Sequence, residues 1–151
     1  MPAFRPAPAA APSAAGQPLT VVCPGCGSVL APVPDDASSH PGASPSCARL
    51  FEVTLRGLRD DADTDASAAG SVRLADDAYD AQHPDPADGE RLAGAVRRLA
   101  ERFDSPAGDQ RPQVWRATIG DVAADLDVVD LPALVESWAR AVAEDWATSQ
   151  S

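Results

Sequence analysis

In Leu19-Thr20-Val21-Val22-Cys23-Pro24-Gly25-Cys26-Gly27-Ser28-Val29-Leu30, two short β-prone runs flank a pair of cysteines two residues apart. The runs Leu19–Val22 and Ser28–Leu30 carry the branched side chains that strands favour. Pro32 and Pro34 stop further pairing, because proline cannot donate to a ladder. Two thiolates at this spacing chelate one ion when the backbone between them turns tightly. Pro24 fixes one dihedral of the turn, and Gly27 permits a backbone that aims amide donors at the sulfurs. A redox C-x-x-C would need its first cysteine at the start of a helix, whose positive end lowers the thiol pKa. No helix can begin in the strand-like run that follows, with its two prolines. A zinc knuckle is therefore expected over residues 19–34, ahead of a redox pair or plain structural thiols.

Outward from the knuckle the chain turns helical. Ser44-Pro45 joins a capping side chain to a proline at the first helical position, and Leu50, Phe51, Thr54, Leu55 and Leu58 recur on one face, which predicts a helix over Pro45–Arg59. Asp60–Gly70 is acidic and built of small residues, and is expected to be flexible. A short helix over Leu74–Gln82 should end at His83-Pro84, since the residue before proline is pushed out of the helical region. Asp85-Pro86 repeats the cap-plus-proline start ahead of a stripe of Leu92, Val96, Leu99, Ala100 and Phe103. After a loop over Asp104–Pro112, a short helix is expected from about Ile119. Asp130 then caps a final helix with Leu131, Leu134, Val135, Trp138, Val142 and Trp146 on its apolar side. Trp115, Trp138 and Trp146 are expected to anchor the core.

The expected fold class is thus mainly α, a small helical domain with an N-terminal two-stranded β zinc knuckle. Residues 19–148 would form a single zinc-binding domain, with 45–148 as its helical part. Met1–Pro18 holds five prolines and almost no large apolar side chain, so it should be a disordered tail.

Composition excludes several function classes. With 12 basic residues against 23 acidic ones the net charge is −11, and every basic residue is Arg. Such a surface repels phosphate backbones, so nucleic acid is not an expected partner. No apolar run is long enough to span a membrane, and the proline-rich start lacks the apolar stretch of a signal peptide. An odd cysteine count with two in a C-x-x-C fits metal in a reducing compartment, so a cytoplasmic location is expected.

Two thiolates do not complete a tetrahedral site. Cys47, in the first turn of the helix that starts at Pro45, is the favoured third ligand, because helix dipoles there stabilise a thiolate. His40 and His83 compete for the fourth position. His83 is preferred because it closes a helix, whereas His40 stands in a Ser/Pro/Gly loop.

The run Cys23-Pro24-Gly25-Cys26-Gly27, then Ser44-Pro45-Ser46-Cys47, then Asp77-Ala78-Tyr79 followed by Gln82-His83-Pro84, resembles a family of small bacterial proteins known as domain of unknown function 5946. The resemblance covers about Val21 to Ala147 and includes a C-terminal helix with spaced tryptophans. It implies that Cys23, Cys26, Cys47 and His83 belong together, and it implies no activity. The chain departs from the pattern at Asp85, where the family usually has Gly, and in a more acidic run before Tyr79. It also lacks a His near Leu131, which removes one candidate ligand or catalytic group.

Three functional readings follow. In the first, zinc is structural and clamps the knuckle onto the helices. In the second, three cysteines hold a catalytic zinc whose open fourth position takes water or substrate, with His83, Asp77 or Tyr79 passing protons in a hydrolase- or lyase-like reaction. In the third, the acidic stretch Asp60–Asp65 or the last helix docks a basic protein partner. Asp61-x-Asp63-x-Asp65 is no calcium loop, because Ala66 stands where Gly is required.

Overall fold

The computed structural model describes residues 19–33 and 40–149, so the Pro/Ala-rich tail 1–18, Pro34 and the next five residues lie outside the described residues. The knuckle strands are two residues each, β1 (Val21–Val22) and β2 (Val29–Leu30), paired antiparallel with Val21 opposite Leu30 and Val22 opposite Val29. Among the described residues five helices follow: α1 (Pro45–Asp61), α2 (Ala66–Gln82), α3 (Gly89–Arg102), α4 (Ile119–Ala124) and α5 (Leu131–Thr148). The chain is mainly helical with one small N-terminal sheet, as its sequence pattern leads one to expect.

Capping explains where most helices begin. Ser44 Oγ accepts from Cys47 N at 3.1 Å at the head of α1, Asp130 accepts from Ala133 N ahead of α5, and Thr118 forms a reciprocal capping box with Asp121 ahead of α4. Two expected starts are corrected. The stretch expected to be flexible is helical from Ala66, because the Asp65 carboxylate accepts from both Ser67 N and Ala68 N and caps a run of small residues with high helix propensity. In addition, α3 starts at Gly89 and not at Pro86. Asp85 spends its carboxylate on Ala87 N in a tight turn, and Asp88 becomes the cap through Arg91 N.

Helix α2 is the central element, in contact with α1, α3 and α5. Its buried face is Ala68, Ala75, Ala78, Tyr79, Ala81 and Gln82, and the alanines let neighbouring helices approach closely. The facing stripes are the expected ones, with Leu99 and Val96 from α3 and Val135, Trp138, Val142 and Trp146 from α5. Trp115 packs against the core from its edge, with its ring 6.3 Å from that of Trp146. It is half-buried in the loop before α4, and its indole N–H donates to Gly25 O of the knuckle at 3.0 Å.

Buried polarity joins the helices to the knuckle side. Gln82, fully buried at the end of α2, accepts from Trp138 Nε1 at 3.2 Å and donates through Nε2 to Ala117 O at 2.7 Å. Trp146 Nε1 donates to Ala81 O at 3.1 Å. Both ends of the Gln82 amide are therefore used, and the residue that precedes His83 is fixed from two sides.

Candidate metal centre

Three separate segments bring their donors to one point. The knuckle turn contributes Cys23 and Cys26, the first turn of α1 contributes Cys47, and the C-cap of α2 contributes His83. The turn is held by Gly27 N donating to Cys23 O and Cys23 N donating to Ser28 O, both at 2.9 Å. Gly27 has φ of 82°, a conformation that favours glycine. At α1, Ser46 Oγ donates to Ala31 O at 2.6 Å and ties the helix to the chain leaving β2. At α2, Pro84 pushes His83 into an extended conformation (φ −129°, ψ 77°), so the helix stops and the imidazole turns inward.

All four donor atoms lie within 4.8 Å of one another, and all four residues are buried, Cys47 and His83 completely. Cys26 Sγ is 3.8 Å from Cys47 Sγ, and Cys47 Sγ is 3.5 Å from His83 Nε2. With metal–sulfur bonds of about 2.3 Å and metal–nitrogen bonds of about 2.0–2.1 Å, a tetrahedral ion sets sulfurs about 3.8 Å apart and sulfur and nitrogen about 3.5 Å apart. The donor set fits a metal ion in chemistry, and these two separations match tetrahedral spacing.

Neighbouring groups orient the donors. His83 Nδ1 lies 2.6 Å from Tyr79 O, so Nδ1 carries a proton toward that carbonyl and Nε2 is the nitrogen turned toward the sulfurs. Tyr79 donates its hydroxyl to Cys47 Sγ at 3.3 Å, and its ring stacks between Phe51 and His83 with centroids 4.0 and 3.9 Å away. Ser28 Oγ lies 3.1 Å from Cys26 Sγ and donates to Thr118 Oγ1 at 3.1 Å, which links the knuckle to the head of α4.

The electrostatics of the bare cluster are strained. Hydrogen bonding from Cys26, then from Cys47, pulls the Cys23 thiol far below its ordinary range, against burial. Contact with Cys23, then Cys26, together with burial pushes the Cys47 thiol well up. Burial acts to lower the His83 imidazole, but hydrogen bonding to Cys23 and Cys26 outweighs it and raises the pKa to about 9. Burial first, and then the surrounding sulfurs of the cluster, push the Tyr79 phenol above its ordinary range. Without a cation, this enclosed space holds a Cys23 thiolate beside a His83 imidazolium and keeps Cys47 neutral. A divalent ion removes that conflict.

His40 is not part of the cluster. Its Nδ1 accepts from Gly42 N at 3.1 Å, which leaves Nε2 as the donor to Asp80 Oδ1 at 3.2 Å. Asp77 also lies apart, paired with Arg98 at 2.9 Å. Sequence reasoning gave no role to Gln82, Ser28 or Arg111. The clearest signal for Gln82 is its place directly before the His-Pro pair. Arg111 donates to Gly25 O at 3.1 Å beside Trp115, and the segment from Arg111 to Trp115 faces the knuckle across a cavity of about 710 Å3.

These features define a helical protein with an N-terminal knuckle and a buried three-cysteine, one-histidine cluster able to hold a metal ion. A family model described as "Family of unknown function (DUF5946)" matches residues 21–111, more than half of the chain, and the chain belongs to that family. The match includes all four cluster residues and ends at Arg111. Neither a curated protein nor a solved structure matches the chain. Among the described residues no helix is long and apolar enough to cross a membrane.

Proposed function

We propose that residues 19–148 form a single zinc-binding domain in which Cys23, Cys26, Cys47 and His83 hold one structural zinc ion in a cytoplasmic protein. The single observation that carries this reading is the convergence of four buried donors from three segments, with S···S and S···N spacings that suit tetrahedral coordination. Zinc is favoured over other ions because three soft thiolates and an imidazole in a tetrahedral array match its ligand preference. Bound there, the ion would neutralise the thiolates and cross-link the knuckle to α1 and to the end of α2.

A catalytic zinc would need an open coordination position, with His83 free to pass protons. His83 Nε2 instead faces the sulfurs at 3.5 Å from Cys47 and is fully buried, which supports closure by four protein donors. The test is zinc content and thermal unfolding of the purified chain and of Cys26→Ser. One zinc per chain, lost in the variant together with a large drop in melting temperature, is expected. Unchanged metal content and unchanged melting in Cys26→Ser would sink the proposal.

A further inference from the structure

The cavity beside the knuckle has a composition unusual for this chain. Its volume is about 710 Å3, within the range of roughly 300–1,000 Å3 typical of small-molecule pockets. One wall is the turn from Cys23 to Gly27 and the other is Arg111-Pro112-Gln113-Val114-Trp115. In a protein with 23 acidic residues against 12 basic ones, the described residues place no carboxylate in this lining and a single cation, Arg111.

Arg111 and Trp115 are held together at one atom. The guanidinium Nη2 and the indole Nε1 both donate to Gly25 O, at 3.1 and 3.0 Å, and Nη2 also reaches Pro24 O at 3.4 Å. Among the described residues no acceptor meets the Nε and Nη1 donors of Arg111. The cavity therefore offers a guanidinium fixed by one amino group, with its other donors free. Beside it stand an indole whose only polar atom is already used, and the exposed side chain of Val114.

We propose that this cavity binds a small organic carboxylate with a flat or apolar body. A carboxylate can accept a charge-assisted hydrogen bond from Nε or Nη1 of Arg111, and the apolar body lies against Trp115 and Val114. A phosphate dianion fits less well, because its second charge would meet no further cation in the lining. The cavity shares the knuckle turn with the metal cluster, so the titrations use the metal-loaded chain.

The experiment titrates the full chain with phenylacetate, with the uncharged isostere phenylacetamide and with inorganic phosphate. It follows the indole N–H resonance of Trp115 and the tryptophan fluorescence. Phenylacetate should saturate at millimolar concentration or below, with the amide and phosphate at least about tenfold weaker, the scale of one charge-assisted hydrogen bond. Arg111→Gln should reduce phenylacetate to the level of the amide while keeping its metal content and melting temperature. Three results would overturn the proposal: equal binding of acid and amide, unchanged binding in Arg111→Gln, or no saturation of phenylacetate by roughly 10 mM. Loss of metal from Arg111→Gln would overturn it too, by assigning Arg111 to support of the knuckle.

Discussion

The two ends of α2 are stabilised by different means. Toward α3 and α5 its alanines pack against Leu99, Val135, Trp138 and Val142, an apolar contact in which each large side chain contributes on the order of 2 kcal/mol. At its C-terminal end the partners are a knuckle with two-residue strands, whose Val22 and Val29 are exposed and whose main buried side chains are cysteines. A hairpin of that size has too little apolar surface to hold itself. One region is held by burial, which needs no particular chemistry beyond size and shape, and the other by a donor set in which each atom must be present.

The largest expected effect of that difference is on metal removal. Structural zinc supplies on the order of 10 kcal/mol of apparent folding free energy in small domains. Chelation should lower the melting temperature by roughly 10 °C or more, since about 1 kcal/mol corresponds to a few degrees at this size. Amide exchange should show where the change falls. Protection around β1, β2 and residues 40–47 should disappear, while amides near Trp138 and Val142 in α5 stay protected. Equal loss in α5 would break the comparison and make the two regions one cooperative unit.

Acidity offers a second way to separate them. At pH 7 the metal-free cluster keeps protons on Cys47, pushed up by its sulfur neighbours, and on His83, raised to about 9. Metal binding must displace at least these two, so affinity should fall about a hundredfold or more per pH unit lost near neutrality, tenfold for each proton. The metal-free chain should behave differently. His83, raised from 6.5 to about 9, gives stability that is present below 6.5 and lost as pH rises to about 9. Cys23, lowered from 9.0, gives stability that is present above 9.0 and lost as pH falls. Between those values the two slopes cancel. Denaturation from pH 6.5 to 9 should therefore show a level stability without metal and a rising one at fixed metal. A rising slope in both forms would refute this assignment of protons.

Glycine substitutions probe the boundary at a smaller scale. A Cβ on Gly42 would collide with the backbone of His83 and Pro84, and backbone cannot step aside as a flexible side chain can. Gly42→Ala should cost about 1–3 kcal/mol and weaken metal binding, because it displaces His83. Gly57→Ala, on the exposed face of α1 with nothing near its added methyl, should gain about 0.5–1 kcal/mol and leave metal content unchanged. Chemical denaturation beside a metal assay checks both. Equal effects of the two substitutions would remove Gly42 from the support of His83.

The same division explains what the sequence disclosed. Helices with a wide apolar stripe and a cap, such as α1 after Ser44-Pro45 and α5 after Asp130, are legible because periodicity and capping agree. The first half of α2 is not. Ala66–Arg73 has small residues and no stripe, and only the Asp65 cap and packing on α5 make it helical. The start of α3 misleads because Asp85-Pro86 and Asp88-Gly89 are both reasonable starts, and turn hydrogen bonding decides between them. At the site, the C-x-x-C and Cys47 at a helix start mark three donors. The choice between His83 and His40 rested on helix position and on family resemblance, and His40 is drawn away by Asp80, a partner that no spacing rule reveals. Gln82 and Trp115 act through contacts with residues 56 and 90 positions away, which lie beyond any local pattern.

The smallest expected effect belongs to Tyr79, where the two regions overlap. Its ring belongs to the packed region, stacked on Phe51, and its hydroxyl belongs to the cluster, 3.3 Å from Cys47 Sγ. Tyr79→Phe keeps the ring and removes one hydrogen bond to a sulfur. The expected loss of stability is about 0.5–1.5 kcal/mol, with metal affinity falling about tenfold, because a thiolate loses a donor that offsets its charge. Burial among the cluster's sulfurs holds the phenol protonated well above its ordinary range, so it remains a donor wherever the protein is folded. The ratio of wild-type to variant affinity should therefore stay constant from pH 6.5 to 9, even as both affinities change steeply. A ratio that varies with pH, in competition titrations with a chelator of known affinity, would mean that the hydroxyl exchanges a proton with the cluster and does more than orient and stabilise Cys47.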